Sequence, residues 1–123
     1  MLLDENISSA VAEQVRRHRP DLVIESVHCW RDGALRSCGD RELLIAAASE
    51  DWTLVTYDLR TIPTVVTELS AAGIMHKGVV FIDHRTVAGD DFGTLTRALI
   101  LLWERHHGLD WMGRVHFLDK PGH

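Results

Sequence analysis

Three short apolar runs in this chain each close on an aspartate: Leu2-Leu3 before Asp4, Trp52 to Tyr57 before Asp58, and Gly78 to Ile82 before Asp83. Between them lie segments whose apolar residues recur at helical spacing. Brief runs rich in β-branched residues read as strands, and recurrence at i, i+3 and i+4 reads as an amphipathic helix packed against them. Such alternation leaves few architectures open. It predicts an α/β fold with a mostly parallel central sheet, right-handed crossovers and helices on both faces. At 123 residues, 46% of them hydrophobic, the chain has the length and core for one domain. That domain is placed at residues 1–119, with 120–123 a short C-terminal tail.

The local signals place the elements. Asn6, Ser8 and Ser9 are good caps for a helix through Val11 and Val15 to about His18, which Pro20 stops. Asp21 to Val27 reads as a strand and Trp30 to Gly39 as a loop. Asp40 opens an alanine-rich helix whose acidic first turn complements its macrodipole. Trp52 to Thr56 is the next strand. A helix follows from Ile62, with Pro63 tolerated in its first turn and Gly73 placed to end it. Gly78 to Ile82, Phe92 to His107 and Val115 to Leu118 read as strand, long helix and last strand.

Charge and composition narrow the function. With 13 Lys plus Arg against 18 Asp plus Glu, the net charge of −5 argues against holding nucleic acid by bulk electrostatics. Basic groups nonetheless recur in local strips around an acidic centre. No apolar run approaches the ~20 residues of a membrane span and no signal-type stretch opens the chain, so a soluble, cytoplasmic protein without a membrane partner is expected. Cys29 and Cys38 are expected as free thiols. The eight histidines show no zinc-type grouping.

In an open parallel sheet the ligand crevice lies beyond the carboxyl ends of the strands, where Asp4, Asp58 and Asp83 would emerge. Carboxylates gathered there repel one another unless a cation neutralises them or some are protonated. Mg²⁺ or Mn²⁺, which prefer hard oxygen ligands, suit such a cluster. Such an ion can activate water for attack on a phosphodiester, which is nuclease chemistry.

The segments Leu2-Leu3-Asp4-Glu5-Asn6, Gly39 to Ala48 and Leu54-Val55-Thr56-Tyr57-Asp58 resemble the PIN-like domain family, in particular its short bacterial branch related to VapC-type toxin ribonucleases. The resemblance implies a PIN-like domain acting as a metal-dependent endoribonuclease, with Asp4, Asp40 and Asp58 as the catalytic, metal-binding acids. Thr56 would stand beside Asp58, with Glu5 and Glu42 of second rank; Asp83, which the family pattern does not call for, joins that rank by its strand-end position alone. Asn6, Trp30, Arg31, Arg36 and Arg60 are candidate RNA contacts, Trp30 by stacking. A small antitoxin protein and a second copy of the chain are the partners that the resemblance implies beside RNA.

Two positions depart from the family pattern. No acid is well placed between Asp4 and Asp40, and Leu59-Arg60-Thr61 stands where many relatives carry another acid and Phe, which implies a site with fewer ligands. Two rival functions stay open. One is a response-regulator receiver domain phosphorylated on Asp58, which Asp4-Glu5 and Asp119-Lys120-Pro121 resemble, although only Gly122 and His123 remain for the helix that should follow. The other is a catalytically degenerate PIN-like module that only binds protein.

Overall fold

A computed structural model describes residues 1–121; Gly122 and His123, the end of the expected tail, lie outside the described residues. The elements are β1 (Leu2–Leu3), α1 (Ser9–His18), β2 (Glu25–Ser26), α2 (Asp40–Ser49), β3 (Leu54–Thr56), α3 (Ile62–Ala71), β4 (Val79–Phe81), α4 (Phe92–His106) and β5 (Val115–Phe117), with a 3₁₀ turn at Trp30–Gly33. The strands form one sheet in the order β2-β1-β3-β4-β5, and every adjacent pair is parallel. The chain is thus an α/β protein built on a parallel sheet. No helix among the described residues is long and apolar enough to cross a membrane.

The helix ends follow the local chemistry. Ser8 caps α1, its Oγ accepting from the Ala10 N–H. Gly73, at φ +80°, ends α3: Ile74 N–H donates to Leu69 C=O and Gly73 N–H to Ser70 C=O, which satisfies two carbonyls the helix cannot. The expected Asp21–Val27 strand is reduced to Glu25–Ser26. Its one neighbour among the described residues, β1, has just Leu2 and Leu3 before the chain turns at Asp4, so β2 pairs over that span alone.

Register divides the side chains between two cores. Leu2, Leu54 and Val79 lie level across the sheet and pack against Leu43, Leu44 and Ala47 of α2 and Ile62, Val65 and Leu69 of α3. Leu3, Val55 and Val80 point the other way, against Val11, Ala12 and Val15 of α1 and Leu95, Ala98, Leu99 and Leu102 of α4. Both faces of the central strands are therefore covered, which is why these strands are apolar throughout.

One crossover departs from the expected hand. The β3–α3–β4 and β4–α4–β5 units step the same way across the sheet, yet α3 and α4 lie on opposite faces. The β4–α4–β5 connection is therefore opposite in hand to the other three crossovers, against the strong preference for a single hand. Burial explains the exception. Without α4, only α1 would cover Leu3, Val55, Val80 and Ile82 on that face. β5 in turn has no helix over its other face, and Val115 and Phe117, in register with Val79 and Phe81, remain exposed.

Leu99, fully buried where α4 meets α1, is a direct test of this packing. Leu99→Ala is expected to lower the unfolding free energy by about 2–5 kcal/mol in urea denaturation. Val23→Ala, at a side chain 71% exposed, is expected to change it by less than about 0.5 kcal/mol.

Candidate active site at the carboxyl edge of the sheet

From β1 the chain leaves toward β2, and from β3 it leaves toward β4, so the connections diverge between these two neighbouring strands. Divergence of this kind opens a crevice at the carboxyl edge of a parallel sheet. Asp4 follows β1 directly and Asp58 lies two residues beyond β3, so they stand on either side of the crevice. Asp40 is the first residue of α2, which starts at this same end because it follows β2.

Asp4 is buried, and both of its carboxylate oxygens are held. Oδ1 accepts the Glu5 N–H at 2.7 Å, and Oδ2 accepts the hydroxyl of the fully buried Thr56 at 2.6 Å. The Thr56 oxygen in turn accepts the Asp58 N–H at 3.0 Å, so one hydroxyl joins the ends of β1 and β3. Asp58 Oδ1 accepts the N–H groups of Arg60 and Thr61 at 3.0 and 2.8 Å, closing the turn into α3. Asp58 Oδ2 and the Asp40 carboxylate accept no hydrogen bond among the described residues.

The charge of Asp58 acts on both Asp4 and Asp40. Burial raises the Asp4 pKa above the usual aspartate value; the Thr56 and Glu5 hydrogen bonds oppose this, and the charges of Asp58 and Glu5 add to it. Burial likewise raises Asp40, and here the added charges are those of Asp58 and Asp4. The sequence-predicted trio is thus brought to one end of one crevice. As the side chains stand, no three His, Cys, Asp or Glu residues among the described residues form a group that could hold a metal ion. The donor chemistry fits a looser arrangement. Mg²⁺ is commonly held through one or two carboxylates with water completing its shell, and Asp58 Oδ2 and the Asp40 carboxylate accept no hydrogen bond among the described residues.

The remaining candidates are dispersed. Glu5 turns its carboxylate to Ser37. Glu42 is exposed in the first turn of α2. Asp83 is bound by Arg85, whose guanidinium and N–H hold its pKa down to about 2, and it is not among the charges acting on Asp4 or Asp40. Trp30, expected in a loop and open to bases, is instead buried, set edge-on to Trp52 and covered by the Arg31 guanidinium. Its neighbour Arg31 pairs with Glu50. Asn6, Arg36 and Arg60 are exposed, and neither arginine forms an ion pair among the described residues.

Sequence reasoning missed Ser37 and His28, which bind Glu5. It also missed the stack of His84 on Tyr57, with ring centroids 4.3 Å apart. None of these contacts has a local signature, because each joins loops distant in the chain. The chain matches no family model, no curated protein and no solved structure.

The raised pKa of Asp40 sets a sign for its effect on stability. A carboxyl that binds its proton more tightly folded than unfolded favours the folded state at low pH and loses that advantage as pH rises through the folded value. At neutral pH Asp40 is therefore a source of instability. Asp40→Asn is expected to raise Tm by roughly 2 °C at pH 7, the lost helix-dipole interaction offsetting part of the gain. The gain should shrink as pH falls toward the ordinary aspartate range, as followed by circular dichroism.

Proposed function

We propose that this chain is a PIN-like endoribonuclease that uses Mg²⁺ or Mn²⁺ to hydrolyse RNA phosphodiesters. The observation that carries the reading is that Asp4, Asp40 and Asp58 all lie at the carboxyl edge of the sheet by the β1/β3 crevice, with the charges of Asp58 and Asp4 adding to the raised pKa of Asp40. An oxygen-only site of this kind suits a hard divalent cation. Asp58 and Asp40 would hold it, and Asp4, both of whose oxygens are hydrogen-bonded, would add negative charge to the site. When bound, the ion supplies a Lewis acid that lowers the pKa of water and stabilises charge on the leaving oxygen.

The chain's own residues have separable tasks. Thr56 holds Asp4 in one orientation and ties it to the Asp58 turn, so the two carboxylates keep a constant spacing. Arg60, next to that turn, and Arg36, in the loop before α2, are exposed cations available to a phosphate backbone. With a net charge of −5, RNA would be held at a local strip rather than by the field of the whole protein. The resemblance to VapC-type proteins extends the proposal to a toxin paired with a small antitoxin protein and to a homodimer.

The strand order β2-β1-β3-β4-β5, shared by flavodoxin-like sheets, favours a second reading in which Asp58 is a phosphoacceptor. The two readings separate cleanly by experiment. The protein is expected to cut single-stranded RNA with Mn²⁺ or Mg²⁺, to stop in EDTA, and to lose at least about 10²-fold in kcat on Asp58→Asn. Arg60→Ala should raise KM more than it lowers kcat. A stable acyl phosphate on Asp58 after treatment with acetyl phosphate, without RNA cleavage, would decide for the phosphoacceptor.

A further inference from the structure

Glu5 occupies an unusual position for a carboxylate. It follows Asp4 in sequence, and its charge adds to the repulsion that raises Asp4, so its place near the crevice requires a compensating interaction. That interaction is with Ser37, 32 residues away. The Ser37 N–H donates to both Glu5 oxygens, at 3.1 and 3.0 Å, and the Ser37 hydroxyl donates to Oε1 at 3.3 Å. Hydrogen bonds to an ionised acceptor are the stronger kind. The backbone of Glu5 is equally committed, its N–H to Asp4 and its C=O to the His28 ring.

Ser37 has a φ of +60°, a left-handed conformation that is strained for a residue with a Cβ. It stands three residues before Asp40. The helix that Asp40 opens has Gly39 at its cap position, with no side chain to fix its start. Leu35 and Cys38 pack partly buried against the α2/α3 core, and Arg31, paired with Glu50, holds the far end of the loop. Between these anchors, the Glu5–Ser37 contact is the polar tie from the end of β1 to the start of α2.

We infer that Glu5 is a positioning residue: by holding Ser37 in its left-handed conformation it fixes where α2 begins, and so where Asp40 stands relative to Asp4 and Asp58. Its effect on cleavage rests on the nuclease reading; its effect on the loop does not. The arrangement gives Glu5 a role other than metal ligation. Two donors of Ser37, its N–H and its hydroxyl, already engage its carboxylate through three hydrogen bonds, while Asp40 and Asp58 Oδ2 have none among the described residues.

Trypsin provides a readout independent of activity, because it cuts after the exposed Arg36, beside Ser37. In the full chain, Glu5→Ala is expected to speed cleavage of the Arg36–Ser37 bond about tenfold, since opening of the loop limits that cut. The variant should lower kcat for RNA by about 10²-fold with KM changed less than about threefold, the size of effect that misplacing one group produces. Glu5→Gln, which keeps an acceptor oxygen, should fall between wild type and Glu5→Ala. Adding Ser37→Gly to Glu5→Ala should recover about tenfold of the lost kcat, because glycine takes a positive φ without strain. The inference is overturned if the Arg36–Ser37 bond is cut at the wild-type rate in Glu5→Ala, or if Ser37→Gly restores nothing and Glu5→Gln is as damaging as Glu5→Ala. Wild-type protein that cuts no RNA would sink the nuclease reading alone, and the trypsin rates would still decide the role of Glu5.

Discussion

A buried carboxylate at the end of a central strand organises this molecule. Asp4 is removed from water because β1 lies between β2 and β3 with a helical layer on each side. Its charge is sustained there by two donors, the Glu5 N–H and the Thr56 hydroxyl. The second donor matters most for the architecture. Thr56 gives its proton to Asp4 and receives one from the Asp58 N–H, so the same oxygen satisfies β1 and shapes the turn after β3. Parallel neighbours in register deliver both strands to this point at one height.

The layers around the sheet show how burial overrides a strong chiral preference. Three crossovers share a hand, and the fourth reverses so that the 15-residue α4 can lie beside α1. The reversal closes the core over Leu3, Val55, Val80 and Ile82. It also leaves β5 bare on the α2/α3 side, where Phe117 meets Phe81 by ring contact and remains largely exposed. Neither consequence touches the crevice, which depends only on how the chain diverges from β1 and β3.

Much of the framework was legible from residues near in sequence. α2 begins at Asp40 and α4 at Phe92, as the patterns indicated, because capping, helix propensity and apolar periodicity act over a few residues. The placement of aspartates at strand ends was equally visible. Trp30 was misread because its burial comes from Trp52 and from the fold of its own loop, which passes through left-handed conformations at Arg31 and Asp32 that no glycine announces. Asp83 had the right position along the chain, but a neighbour two residues away, Arg85, claims it.

The amino-acid sequence by itself determined the alternation of strand and helix, the apolar faces, and the acids that close β1, precede β3's turn and open α2. Those properties arise from local backbone preference and from side-chain pattern. Only the tertiary structure decided the strand order, the reversed last crossover, and which acids share an environment. Strand neighbours, the face a helix covers and the electrostatic partners of a carboxylate are set by contacts between distant segments. The pairing of Glu5 with Ser37 is the clearest case: two unremarkable residues become connected because β1 and the start of α2 arrive at one end of the sheet.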